Sequence, residues 1–540
     1  MLLNINAQLF SIIKSTLFLL MLIGLVACTS NPQPDKPNIL FILVDDLGYA
    51  DLSVMGSQYY ETPNIDKIAK SGTIFTNGYS TCTVCTPSRA SLLNGQFTAR
   101  HGLTQYEGGK TGQEWKKLNR HTKLLPPEYV HHLDHDDLTL PEAFKESGYA
   151  TFFAGKWHLG SAEQGSLPTD HGFDVNQGGY RAGGPSGGFF SPFNNPQMKD
   201  YPEEKGMSLS MKLAKEASNF IKENKENPFL AYLAFYAVHA PIQTTKEKWA
   251  KYRDKAERMG IHETGFEMER ILPARKYQDN PVYAGLIEQV DDAVGSVMQT
   301  LKELDLDKNT IVVFTSDNGG VTSGDNYSTN QLNLRGGKGY QWEGGVRIPY
   351  FIYVPWMVQG GNGIDVPVSG ADLFPTLLDL AGLPLRPEAH LDGVSLKPLL
   401  TGASIKSRPL FWHYPHYGNQ GGEPSSIIRQ GKWKLIYYWE DHHFELYDLE
   451  KDLGETQDVA ESNQELAADL KSQLFEWLES MDTHYAEEDP LWDEAARKQR
   501  LQNHKNIKMP QLEKNRKKML SPDWKPNKDW WGSDVKNTAQ

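Results

Sequence analysis

Four short apolar runs, each ending in polar or charged residues, constrain this chain more than any other feature. The run NILFILV (38–44) is continuous and rich in branched side chains, which reads as a strand buried on both faces. It ends at Asp45 and Asp46. The run TIVVFTS (310–316) repeats the pattern and ends at Asp317 and Asn318, followed by two glycines. PFLAYLAFYAV (228–238) ends at His239, and YATFFAG (149–155) ends at Lys156, Trp157 and His158. Helical periodicity lies between them, at 207–223 and 281–304. Strands alternating with helices predict an α/β fold with a largely parallel sheet. Ligands of such sheets bind beyond the carboxyl ends of the strands. Asp45, Asp46, Lys156, His158, His239, Asp317 and Asn318 are therefore expected to converge. A polar residue after one strand is ordinary; four ends carrying such side chains are harder to dismiss.

The residue types then suggest chemistry. Asp45, Asp46, Asp317 and Asn318 offer only oxygen ligands, which suit a hard cation such as Ca²⁺ or Mg²⁺ better than zinc. Clustered carboxylates without a cation would repel, although a single Asp-Asp or Asp-Asn pair is as often a turn or a cap. In TCTVCTPSRASLLNG (81–95), Pro87 suits a first helical turn, Thr86 can cap it, and Asn94-Gly95 can end it. Cys85 would then precede a helix N-terminus, with Arg89 four residues on, in a pocket suited to an anion. The plainer reading is a buried thiol beside a surface arginine. Lys156 and His158 share one side of an extended segment. Lys338 sits in the glycine-rich loop LRGGKGYQWEGGVRIP (334–349), where backbone can approach a ligand closely. Together these groups offer charge for an oxyanion and two histidines able to move protons.

The N-terminal residues read as an export signal: one lysine, then an apolar run too short to span a bilayer. Leu25-Val26-Ala27-Cys28 resembles a bacterial lipobox, which would leave Cys28 lipidated and anchor the protein in a membrane; an ordinary signal peptide with an incidental cysteine is the other reading. Past Cys28 only Cys82 and Cys85 remain, so the chain is no disulfide scaffold. A net charge of −13 argues against nucleic acid as a partner. The expected organisation is a signal peptide over 1–27, a linker over 28–37, a catalytic domain over 38–404, a smaller α+β domain over 405–484 and a tail over 485–540. Alternating residues at 425–452 predict antiparallel strands, and 463–481 an amphipathic helix. The tail lacks clear periodicity and is expected to wrap the surface or stay partly disordered.

CTPSRASLLNG resembles the signature of type I sulfatases, with Asn94 where a Thr or Ser is usual. NILFILVDDLGYADLS, GKWHLG, HAPIQ, TSDNGG and GGKGYQWEGGVRIP resemble further blocks of that family, in its order, and DLFPTLLDLAG and IRQGKWKLI its later segments. The resemblance spans roughly 37–480. It implies an alkaline-phosphatase-like sheet, mixed but mostly parallel, with a smaller C-terminal domain of antiparallel sheet plus helix. It implies that Cys85 is oxidised to Cα-formylglycine by a formylglycine-generating enzyme and hydrated to a gem-diol. One Ca²⁺ would be held by Asp45, Asp46, residue 85, Asp317 and Asn318. Lys156 and Lys338 would clamp sulfate oxygens, Lys338 or His239 would protonate the leaving alcohol, His158 would take the proton of the second hydroxyl, and Arg89 would steady the site. The expected substrate is a sulfated oligo- or polysaccharide, an algal glycan such as ulvan or carrageenan ahead of glycosaminoglycans or a small aryl sulfate. FWHYPHYGNQGGEPSS (411–426), with His413 and His416, is expected to form a sugar-binding rim, and 181–190 to line the mouth. The rivals are a phosphohydrolase of the same superfamily and a non-catalytic glycan-binding lipoprotein; the latter would be expected to lose some of the site residues, and all are present.

Overall fold

The computed structural model describes residues 33–357, 360–525 and 531–532. The predicted signal segment 1–27 and Cys28 lie outside the described residues.

The four apolar runs are the centre of an eight-stranded sheet. Its strands are β1 (Asn38–Val44), β2 (Thr73–Phe75), β3 (Ala150–Gly155), β4 (Val175–Gln177), β5 (Phe229–Phe235), β6 (Thr310–Ser316), β7 (Tyr350–Tyr353) and β8 (Asn362–Ile364). Their spatial order is β8-β2-β7-β6-β1-β5-β3-β4. β1 pairs in parallel with both β5 and β6, and only β7 runs against its neighbours. The continuous apolar character of β1 follows from its place. Leu40, Ile42 and Val44 enter the core under one layer of helices, and Ile39, Phe41 and Leu43 the core under the other.

The first layer contains α1 (Leu209–Glu223) and α2 (Pro281–Glu303). Ser208 caps α1 by accepting from the Met211 N–H, and Asn280 caps α2 by accepting from Val282 and Tyr283, with Pro281 opening the helix. The second layer includes the helix Cys85–Asn94, discussed below, and Leu373–Leu380.

The C-terminal region is a four-stranded antiparallel sheet, Leu410–Tyr414, Ser425–Gln430, Trp433–Tyr438 and Phe444–Asp448, in sequence order. The helix Gln464–Glu479 covers one face, seating Ala467, Leu470, Leu474 and Leu478 on Ile428, Leu435 and Leu446. The other face packs Ile427, Ile436 and Tyr438 against Tyr79, Tyr340 and Trp342 of the larger domain. A fully buried ion triad sits at this seam. Lys434 Nζ reaches Glu343 Oε1 at 3.0 Å and Glu455 Oε1 at 2.8 Å, while Glu455 accepts from the Glu343 N–H and Glu343 from the Tyr79 hydroxyl.

The tail lies on the surface, one of the two expected outcomes, and does so as helices that periodicity did not predict. Residues Glu494–Asn503 and Met509–Met519 are helices joined by a π-helical turn, and Trp531–Gly532 pairs with Gln243–Thr244. The tail is tied down at Arg516, which is buried and donates to Asp279 Oδ2 at 2.7 Å and to the carbonyl of His262. Few apolar residues were needed for that attachment, which is why periodicity missed it.

Candidate active site

The strand ends converge as expected. Asp45 and Asp46 follow β1, Asp317 and Asn318 follow β6, and all four are fully buried. Asp46 takes the left-handed region, φ 61°, which a short polar side chain tolerates best. That turn lets its N–H donate to Asp317 Oδ1 at 3.1 Å. Each carboxylate meets a cation. Lys156 Nζ lies 2.7 Å from Asp45 Oδ2, Lys338 Nζ 2.7 Å from Asp46 Oδ1, and Arg89 Nε 2.7 Å from Asp317 Oδ2. Burial disfavours ionisation of Asp46, yet Lys338, His239 and Lys156 together hold its carboxyl below the usual range. Burial drives the Asp45 carboxyl upward, with Lys156 opposing.

The helix beside these ends runs Cys85–Asn94, two residues longer at its start than predicted, and closes at Gly95 in the left-handed region. Thr86 does not cap it. Its hydroxyl donates instead to the His158 carbonyl and accepts from the Glu107 N–H, tying three segments together. Cys85 is the first helical residue, and its Sγ lies 3.5 Å from Lys338 Nζ. Burial pushes the Cys85 thiol up to about 11, with Lys156 and Lys338 only partly offsetting. As a thiol it is un-ionised at neutral pH and a poor nucleophile. Cys82 and Cys85 are both free.

The two histidines complete the ring. Burial, then Lys156 and Arg89, hold His158 well below its ordinary value, so it is neutral, and its Nδ1 has no hydrogen-bond partner. Burial and then Lys338 lower His239 to about 4. Its Nδ1 lies 2.6 Å from the Ala240 carbonyl, so this nitrogen carries the proton and Nε2, 3.7 Å from Asp46 Oδ2, is bare. The loop 181–190 does reach the mouth: a Cβ at Gly183 would lie 2.7 Å from the His158 ring, and one at Gly184 3.5 Å from that of His239. Glycine at 183 keeps the His158 ring clear, and a Cβ at 184 would only touch the His239 ring.

The donor set fits a hard cation. Ligand atoms of Asp45, Cys85 and Asp317 lie within 4.8 Å of one another, as do those of Asp46, Cys85 and His239. Asn318 donates its amide to Asp46 Oδ1 at 2.9 Å, which leaves its buried Oδ1 without a partner. A buried, unpaired amide oxygen among carboxylates is what a cation would satisfy.

Asp51 is part of the site's support, and strand patterning did not single it out. Its carboxylate accepts from the Gly48 N–H, the Tyr283 hydroxyl at 2.7 Å and Thr329 at 2.6 Å, bracing the loop that carries Asp45 and Asp46. Its place in DDLGYADLS was the available signal.

His413 and His416 are not a rim. Both are buried, at 1% and 0% exposure. His413 bonds Ser426 Oγ and the His484 carbonyl, and His416 bonds Thr104 Oγ1. The strand Leu410–Tyr414 turns this segment into the seam between domains. Burial lowers His413 to about 4 and His416 further. A histidine held neutral in the fold contributes stability that is complete above its unfolded value near 6.5 and is lost as pH falls through about 4. We expect urea midpoints to drop between pH 7 and pH 4.5, with His413 alone accounting for up to about 3 kcal/mol. His413→Gln should flatten part of that slope; an unchanged slope would remove His413 from the account.

The comparisons with known proteins agree with this geometry. Residues 37–383 match the family described as Sulfatase, and residues 337–482 match that described as N-sulphoglucosamine sulphohydrolase, C-terminal. A Sulfatase from Formosa agariphila is 30% identical over 86% of this chain and 93% of its own. The human N-acetylgalactosamine-6-sulfatase is 32% identical over 71% of this chain and 69% of its own. Among solved structures, Ps i-CgsB in complex with k-i-k-neocarrahexaose superposes with a TM-score of 0.66 at 28% identity, covering 89% of this chain and all of that one. Fold and site thus define a sulfuric ester hydrolase, and the chain belongs to the sulfatase family.

Proposed function

We propose that this sulfatase removes sulfate from a sulfated carbohydrate, with an algal polysaccharide or its oligosaccharides as the leading substrate. The observation that carries the catalytic part is the meeting of residue 85, Lys338 and the buried carboxylates at the strand ends. The glycan part is supported by the likeness to a protein solved with neocarrahexaose. A second reading, a glycosaminoglycan, is favoured by the likeness to N-acetylgalactosamine-6-sulfatases and by the match over 337–482.

Cys85 would act as Cα-formylglycine, whose gem-diol supplies one hydroxyl for attack on sulfur and a second for releasing sulfate from within. Asp45, Asp46, Asp317, Asn318 and residue 85 would hold one Ca²⁺, which supplies Lewis acidity for the sulfate and the nucleophilic oxygen. The chain's own groups divide the remaining work. Burial disfavours the charge on Lys338, but Asp46 and the other acids hold its ammonium well above its ordinary value, so it stays cationic. His239 has no proton at Nε2, so Lys338 is the better donor to the leaving alcohol. His158 is neutral with an unpaired Nδ1, which suits it to accept a proton. Lys156 is fully buried and bonded to both Asp45 oxygens, so its first task is to hold that carboxylate. Arg89 anchors Asp317 and the Lys156 carbonyl from the helix.

Export as a lipoprotein anchored through Cys28 belongs to the same proposal and would place the enzyme where polymeric glycans arrive. Mass spectrometry of the peptide containing residue 85, from a host with the maturation enzyme, tests the mechanism. Loss of the thiol mass in favour of the aldehyde is expected, and an unmodified thiol in active protein would sink it. Sulfate release from defined algal and animal oligosaccharides then tests the substrate, with turnover confined to small aryl sulfates as the contrary result.

A further inference from the structure

Beside the glycine loop that carries Lys338 lies a small crevice of about 40 Å³. Trp115, Arg120, Tyr417 and Asn419 form one wall, and Arg497 and Arg500 of the tail helix Glu494–Asn503 form the other.

Its charge is unbalanced. Arg497 is neutralised by Glu440, whose two oxygens accept from its guanidinium. Arg120 and Arg500 have no carboxylate partner among the described residues. Arg120 is already oriented. Its guanidinium carbon lies 4.7 Å above the Trp115 ring, and that ring is stacked on Tyr417 at 5.8 Å. Arg120 also donates to the Gly418 carbonyl and to Asn419 Oδ1. Arg500 is half-buried and makes no side-chain hydrogen bond among the described residues; burial, then Arg120 and Arg497, push it below its ordinary value. Two such guanidiniums facing one crevice repel each other and gain when an oxyanion lies between them.

One wall of the crevice touches the loop that carries Lys338. A Cβ at Gly418 would lie 3.4 Å from Cα of Gly339, the neighbour of Lys338. Asn419 donates to the Tyr106 hydroxyl at 2.9 Å, and Tyr106 feels the charges of both Arg120 and Lys338.

We propose that Arg120 and Arg500 form a second anion subsite, which binds a sulfate group on a neighbouring sugar of the substrate while the first is hydrolysed at residue 85. The proposal rests on the carbohydrate reading above. It makes the tail a contributor to substrate selection and the enzyme one that prefers multiply sulfated chains.

Arg500→Glu is the primary test, since Arg500 makes no internal bond whose loss would unfold the protein; Arg120→Gln is the second variant. Each is compared with wild type on 4-nitrocatechol sulfate, on a multiply sulfated hexasaccharide and on its partly desulfated counterpart. Arg500→Glu is expected to raise KM for the multiply sulfated hexasaccharide by about tenfold or more, with kcat little changed. Turnover of 4-nitrocatechol sulfate, which carries no second sulfate, should stay within about twofold. Equal losses on all three substrates, or no change on any, would overturn the subsite. Should wild type cleave 4-nitrocatechol sulfate but no hexasaccharide, the carbohydrate reading fails separately. The subsite is then judged by calorimetric titration of the multiply sulfated hexasaccharide into Cys85→Ala protein: about tenfold weaker binding with Arg500→Glu supports it, and an unchanged Kd overturns it.

Discussion

Cys85→Ala should abolish sulfate-ester hydrolysis, a loss of more than about 10⁴-fold, while Cys82→Ala retains most of it. The two cysteines are three residues apart and equally buried, so exposure does not separate them. Their surroundings do. Cys82 packs on Val84 and Tyr414, and burial drives its thiol to about 12. Removing it deletes one small apolar contact, at a cost of about 1 kcal/mol. Cys85 stands beside Lys338 Nζ and among the ligand atoms of three aspartates. Alanine there removes the group proposed to attack sulfur. Sulfate release by both variants, with melting curves to confirm folding, decides the matter. Equal loss in both would mean that the pair acts together and that residue 85 is not the sole nucleophile.

Lys434→Ala should destabilise the protein by about 3–5 kcal/mol, the range for removing one partner of a buried ion cluster. Lys434 lies on the small sheet, Glu343 on the large domain, and both are fully buried with Glu455. Burial, opposed by Lys434 and reinforced by Glu343, raises Glu455 to about 7. Without the lysine, Glu343 keeps Arg347 at 3.6 Å but Glu455 loses its ion-pair partner, and one of the two buried carboxylates must take a proton to remain there. The deficit should therefore be largest above pH 7 and shrink as pH falls toward 5, because protonation relieves the repulsion. Denaturation at pH 8 and pH 5 measures this; a deficit that is absent or independent of pH would show that the triad does not hold the domains together.

The central strands were legible because their residues are apolar without interruption, and only burial on both faces accounts for that. β1 and β6 fall on the predicted residues, and the polar ends converge because parallel strands deliver their carboxyl ends to one edge. The rest was hidden for identifiable reasons. Thr86 has the residue type of a cap, but the His158 carbonyl and the Glu107 N–H claim its hydroxyl, both set by tertiary contacts. His413 and His416 looked like a rim because aromatic and imidazole groups suit sugars. Their burial depends on how the strand Leu410–Tyr414 docks, which no local pattern encodes. Arg516 and the Lys434 triad are long-range polar attachments with no periodicity to betray them. Asp51 braces the loop of Asp45 and Asp46 through residues more than 200 positions away in Tyr283 and Thr329.

The burial of Cys85 also sets an order of events in time. At 2% exposure, locked into a helix behind Lys338, its sulfur is out of reach of any modifying enzyme once the domain has closed. The proposed oxidation to the aldehyde would therefore have to happen on a chain still open. The tail held by Arg516 follows the catalytic domain in the chain, and the finished body needs it, since it pairs with Gln243–Thr244 and clasps Asp279. A late-arriving clasp lengthens the interval in which the CTPSR segment is accessible. On this view the Arg516 clasp would set how long residue 85 stays open to the proposed maturation, and a chain cut before residue 494 would differ in the fraction of molecules converted as well as in stability.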